Sequence, residues 1–228
     1  MIVFWPDAFA AGAASRIIAE LATAHQRSRE HVVSIMLAGG STPRDVYSEI
    51  ARVPGLPWQN VAIWFGDERA VPSDHPASNH RMAMDTLLAH VPVLPGNVHR
   101  MEAERDDLDD AARAYERTLP ESIDILLLGV GRDGHTASIF PDAASRDVAD
   151  RDVVAVHSTA HPHARLTITP RVIRHAATCI VLAAGRDKAD AVARALDERT
   201  DPRECPASFA RDGLWLLDDD ATASIDRA

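Results

Sequence analysis

Residues 123–130 read IDILLLGV, with apolar side chains at consecutive positions of both parities. Successive strand residues face opposite sides of a sheet, so such a strand must be covered on both faces, as central strands of parallel sheets are by helices. The chain around it alternates apolar runs with amphipathic segments, the pattern of a mainly parallel sheet flanked by helices, an α/β fold. Strands are predicted at Ile2–Trp5, Val32–Ala38, Val61–Phe65, Ile123–Val130, Val153–His157, Thr178–Ala184 and Leu214–Leu217. Helices are predicted at Ala8–Gln26, Pro43–Arg52, Ser78–Ala89, Leu108–Leu119, Pro170–His175 and Asp187–Glu198. In the last of these, Ala189, Val192, Ala193 and Leu196 recur at helical spacing and form one apolar face. Trp5, Trp58, Trp64 and Trp215 lie in or beside apolar segments, where core packing is the default. No stretch reads as a linker or repeat, so residues 1–228 are expected to form a single domain.

The net charge of -10 argues against a nucleic-acid binder, which would show a basic face. It also means that an anionic ligand would need a local cluster of cations and backbone N–H groups. The first residues, MIVFWPDAFAAGAASRIIAELATAHQ, lack a basic start and are interrupted by Asp7, Arg16 and Glu20, unlike a signal peptide. Nowhere do apolar residues run long enough for a membrane span, and a cytoplasmic location is expected. Cys179 and Cys205 form no C-x-x-C pair, so neither a disulfide framework nor a zinc site is expected. Cys179, in the run TCIVLAA, reads as a small buried residue. The acidic stretch ERDDLDD, Glu104 to Asp110, reads as a solvated helix start.

In open α/β sheets the ligand site lies off the carboxyl ends of the strands, so polar loops that directly follow buried strands are where chemistry collects. Three stand out: AGGSTPRD after Val32–Ala38, GDERAVPSDHPASNH after Phe65, and GVGRDGHTASIFP after Leu128. In the first, Gly39 and Gly40 permit a tight turn, Ser41 or Thr42 can cap a helix, and Pro43 suits the first helical position. That makes a helix N-terminus able to receive phosphate. The third contains G-x-G-x-x-G at Gly129 to Gly134, but His135 and Thr136 follow, and no ribose-binding acid sits at the expected distance. Lys188 is the only lysine among 24 lysines and arginines, which suggests that a compact ammonium is wanted there. His75 and His80 read as exposed loop residues, and Ser78 as a helix N-cap. The segment HSTAHPHAR, His157 to Arg165, holds three histidines but no carboxylate or cysteine to complete a metal set.

Taken together, LAGGSTPRDVY, WFGDERAVPSDHPASNHRM, DILLLGVGRDGHTASIFP, ARLTITPRVI and GRDKADAV resemble, in order and spacing over nearly the whole chain, the 6-phosphogluconolactonases. The resemblance implies a fold shared with glucosamine-6-phosphate deaminase and ribose-5-phosphate isomerase, a sugar-phosphate lactone as substrate, and no nucleotide cofactor. It implies hydrolysis of 6-phospho-D-glucono-1,5-lactone to 6-phosphogluconate in the oxidative pentose phosphate pathway. It carries phosphate binding onto Arg165, Lys188 and the backbone of Gly40, Ser41 and Thr42. By the same analogy Asp67 and Glu68 shape the site and brace Arg69.

A δ-lactone is an activated ester, so its hydrolysis needs a base and an oxyanion partner but no metal. His135 is the natural base, because an imidazole titrates near neutral pH. Asp133, two residues before it, is suited to orient the ring or hold the water. Arg69 is suited to stabilise the oxyanion or hold the sugar, and Arg132 to add positive potential at the mouth. Ser138 lacks the G-x-S-x-G elbow of a serine hydrolase. The deaminases carry a glutamate after the DGH histidine that DGHTASIFPD lacks, which leaves that isomerase and a silent sugar-phosphate-binding protein as alternatives.

Overall fold

The computed structural model describes residues 1–27 and 32–225. Strand β1 (Ile2–Phe4) leads to helix α1 (Phe9–Arg27), β2 (Val33–Leu37) to α2 (Ser41–Ala51), and β3 (Val61–Phe65) to the short β4 (Asp67–Arg69). There follow α3 (Asn79–Thr86), α4 (Leu108–Glu116), β5 (Ile125–Gly129), β6 (Val153–Val156), β7 (Arg165–Ile168) and α5 (Pro170–His175). The chain continues through β8 (Cys179–Ala183), α6 (Ala189–Leu196) and β9 (Leu214–Asp218).

Six strands pair in the order β1-β9-β8-β5-β2-β3, every pair parallel. The two parities of β5 separate as its sequence requires. Ile125 and Leu127 join the core under α1, α2 and α3, with Ile17, Leu21, Val46, Ile50 and Ala83. Leu126 and Leu128 join the opposite core, with Tyr115 of α4, Ile173 of α5 and Val192 of α6. Each such fully buried aliphatic side chain contributes roughly 1.5–3 kcal/mol, so the centre of the sheet is the rigid part of the molecule.

A second, antiparallel sheet in the order β4-β7-β6 departs from the expectation. Val153–His157, expected among the strands of a mainly parallel sheet, is instead β6, an outer strand of this small one. β4 and β7 carry charged residues in a three- and a four-residue strand, too short for an alternating pattern to register. Val153, Leu166 and Ile168 anchor this sheet in the core beneath α4 to α6. Asp107 caps α4 through its contact with Asp110 N–H, the helix start expected of ERDDLDD.

Trp5 is also corrected. It lies just beyond β1, which pairs with β9 at the margin of the six-stranded sheet, and it is 76% exposed, whereas Trp58, Trp64 and Trp215 are buried. No helix among the described residues is long and apolar enough to cross a membrane.

Candidate active site

Two tyrosines pin the ends of adjacent strands. Tyr47 of α2 donates to Ala38 O and accepts from Ala38 N–H, and Tyr115 of α4 does the same with Phe65. Burial pushes both phenols far up, so they remain neutral donors. The chain therefore leaves β2 and β3 from fixed points. At the end of β9, buried Asp218 accepts from Gly185 N–H and Ala221 N–H, which fixes the turn that carries Lys188.

These loops meet in a cleft of about 190 Å³ at the carboxyl ends of β2, β5 and β8. Its lining includes Gly40, Ser41 and Thr42 from the start of α2, Asp67, Arg69, His135, Arg165 and Lys188. Of the candidate residues, Asp133 stands behind His135 rather than in the lining, and Arg132 is outside. Three cations against one carboxylate supply the local positive potential that a chain of net charge -10 needs for an anion.

His135 and Asp133 form the central pair. Asp133 Oδ1 receives His135 Nδ1 at 2.6 Å and the backbone N–H of His135 at 3.1 Å. Burial would raise the Asp133 carboxyl, but the hydrogen bonds and charge of His135 outweigh it and hold the group well below the usual carboxylate range. With Nδ1 engaged, Nε2 is the nitrogen left for proton transfer. The loop that presents them is sharply turned: Gly131 N–H donates to His135 O, and Gly134 adopts φ +92° against Cys205. A Cβ at Gly131 would lie 2.1 Å from His135 Nδ1 and 2.5 Å from Asp133 Oδ1. Gly131→Ala is therefore expected to displace the imidazole and lower turnover at least about 100-fold, as loss of a general base would. An unchanged thermal midpoint beside that loss is the check, and near-normal turnover would refute the crowding.

The opposite wall is built on Asp67. Its Oδ2 receives Ser138 Oγ at 2.6 Å and lies 3.6 Å from Arg165 Nη1, and Asn79 Nδ2 donates to its Oδ1 and main-chain carbonyl. Ser138 is thus fully buried and engaged, in keeping with its exclusion as a nucleophile. The neighbouring Ala137 holds a left-handed φ of 47° in the cleft wall.

Glu68 does not brace the Arg69 guanidinium. It accepts from Ser78 Oγ and from the N–H groups of Arg69, Asn79 and His80, at the start of α3. Burial raises its pKa despite those bonds. The guanidinium itself donates to Ala77 O. Arg69 Nε and Arg165 Nε are buried without a protein partner, a costly arrangement that suits an anionic ligand.

Several expectations are revised. α2 begins at Ser41 behind Gly40, at φ +106°, with no side-chain cap, and Pro43 is its third residue. The helix N-terminus nonetheless lines the cleft, with N–H groups that have no intrahelical partner. Arg132 donates to Asp187 at 2.7 Å at the surface, and Lys188 Nζ is 4.0 Å from the same carboxylate. Arg132 thus occupies a charge that would otherwise compete for Lys188. Ser78 caps α3 as expected, but His80 is a partly buried residue of that helix, tilted against Phe65, while His75 is exposed. Burial, then Arg100, lowers the pKa of His80. Burial pushes the Cys179 thiol up to about 12, which leaves it unreactive.

The histidine-rich segment is where sequence reading missed a neighbour of Asp133. The carboxylate thought to be lacking comes from another loop: His161 Nε2 lies 3.8 Å from Asp133 Oδ2, and its ring stacks on Phe140. Asp133, His135 and His161 thus bring one side-chain oxygen or nitrogen each within 4.8 Å of one another. The run of histidines was the available signal; their partner, 28 positions away in sequence, was not.

The model of the family "Glucosamine-6-phosphate isomerases/6-phosphogluconolactonase" matches residues 5–216. A 6-phosphogluconolactonase of Streptomyces coelicolor is 37% identical, with 97% of this chain and 92% of that protein covered. The crystal structure of a 6-phosphogluconolactonase from Thermotoga maritima superposes with a TM-score of 0.85 at 26% identity, covering 95% of this chain and 98% of that one. A monomeric glucosamine-6-phosphate deaminase is similar at a TM-score of 0.78 and 26% identity, covering 92% and 95%.

Proposed function

The chain belongs to the glucosamine-6-phosphate isomerase/6-phosphogluconolactonase family, and from that premise we propose that it hydrolyses 6-phospho-D-glucono-1,5-lactone to 6-phosphogluconate in the oxidative pentose phosphate pathway. The observation that carries this reading is the Asp133–His135 pair, 2.6 Å apart, beside a cleft that also holds Arg69, Arg165 and Lys188.

The phosphate is held by Lys188, Arg165 and the N–H groups at Gly40, Ser41 and Thr42, where the helix dipole favours an anion. The lactone carbonyl then faces His135. Nε2 takes a proton from water, the hydroxide oxygen bonds to C1, and Arg69 stabilises the oxyanion that forms. Collapse of the tetrahedral intermediate breaks the bond from C1 to the ring oxygen, and His135 returns the proton to that oxygen. Asp133 holds the ring and stabilises the imidazolium between the two transfers. Each step uses a side chain already in the cleft or directly behind it. The two free thiols, Cys179 and Cys205, suit a reducing compartment, and we place the reaction in the cytoplasm.

The isomerase half of the family is the competing reading. Asp142, the nearest carboxylate downstream of the DGH block, is exposed and engaged with the hydroxyls of Ser158 and Thr159 rather than in the cleft lining. This favours the lactonase. The protein is to be given the lactone and, separately, glucosamine 6-phosphate. Acid release from the first without ammonia from the second is expected, and the reverse pattern would transfer the assignment to the deaminases.

A further inference from the structure

The Asp133 carboxylate is flanked by two imidazoles, and its oxygens are divided between them. Oδ1 is taken by His135. Oδ2 faces His161 Nε2, a buried nitrogen without a hydrogen-bond partner of its own. His161 is held there from two sides. Its ring stacks on Phe140 at 4.3 Å, and Phe140 in turn meets the edge of His135 at 4.9 Å. The loop beneath it is tethered by Ser158 and Thr159, which donate to Asp142, and by His161 N–H, which donates to Ser158 O. The two imidazoles stand 5.2 Å apart at 81°.

We propose that His161 is a positioning residue for His135, acting through the carboxylate they share. The inference rests on the lactonase reading only for its kinetic readout. A neighbouring carboxylate favours the tautomer of His161 with its proton on Nε2, and that dipole, 3.8 Å from Oδ2 and so outside hydrogen-bond range, draws off part of the carboxylate's charge and weakens its stabilisation of a protonated His135. The groups facing this pair are Asp133, Arg165 of β7 beside His161, and Asp67, Arg69 and Lys188 in the cleft lining. Burial lowers the pKa of His161, and the charges of His135 and Arg165 push the same way, with Asp133 opposing. The neutral form of His161 is thereby favoured. The active base is neutral His135, so anything that raises its proton affinity moves the acid limb of the rate profile to higher pH.

The test compares His161→Ala and His161→Phe with wild type in two measurements: the pH profile of kcat/KM, and an NMR titration of the His135 ring without substrate. Phenylalanine keeps the stack on Phe140 but offers no N–H. Both variants are expected to shift the acid limb and the NMR midpoint upward by roughly 0.3–1 unit. A profile shifted by alanine but restored by phenylalanine would reduce His161 to packing and overturn the proposal, and so would midpoints unchanged in both. If wild type fails to hydrolyse the lactone, the proposed function falls, while the His135 midpoints still decide the role of His161.

Discussion

Replacing His135 by alanine is expected to lower turnover of the phosphorylated lactone by at least about 100-fold while binding of 6-phosphogluconate survives. The magnitude is that of a general base, about 10²–10⁴-fold. The binding expectation follows from geometry: the groups assigned to the phosphate, Lys188, Arg165 and the start of α2, do not depend on the imidazole for their positions. Lys188 is placed by the Gly185 turn and Asp218, and Arg165 by β7 with Ser138 and Asp67. Because lactones hydrolyse spontaneously, the rate must be taken as the excess over a protein-free blank. Turnover within a few-fold of wild type would remove His135 from the role of base. Loss of product binding along with turnover would mean that the imidazole holds the substrate.

The second large effect is expected at Lys188. Its side chain is 22% exposed and lines the cleft, with Arg132 taking the shorter contact to Asp187, whose carboxylate lies 4.0 Å from the ammonium. A charge-assisted contact to phosphate contributes roughly 1.5–3 kcal/mol, which converts to about a 10- to 150-fold rise in KM for the Lys188→Ala variant. Unphosphorylated glucono-1,5-lactone lacks the group that Lys188 is proposed to hold, so its kinetic constants are expected to change little. Steady-state kinetics on the two lactones separate the cases. Equal effects on both would show that Lys188 shapes the cleft rather than binding phosphate. Lys188→Arg is expected to recover only part of the loss, because a planar fork replaces a compact charge.

Much of this site was legible because its parts are local. Asp133 and His135 are two residues apart in one loop, and the both-parity apolar run of β5 marks that loop as the exit from a central strand. Lys188 stood out by its rarity. What could not be read depends on contacts distant in sequence. The pairing of β4 with β7 joins Asp67–Arg69 to Arg165–Thr167, and neither three-residue stretch carries a strand signal alone. The position of the Arg69 guanidinium follows from that pairing and from Ala77 O, not from Asp67 or Glu68 as the analogy implied. His161 reaches Asp133 only because β6 and β7 hold the loop between them against Phe140. Trp5 fails for a different reason. Apolar composition marks a residue for burial only where another layer covers it, and β1 lies at the margin of its sheet.

The central claim is that this cleft opens the lactone ring with its own side chains. Its most direct test is the decay of freshly generated 6-phospho-D-glucono-1,5-lactone with purified protein in EDTA, set against a protein-free blank. The account predicts acceleration in proportion to enzyme concentration, lost in His135→Ala. Decay at the blank rate with folded wild-type protein, or equal acceleration by His135→Ala, would contradict it.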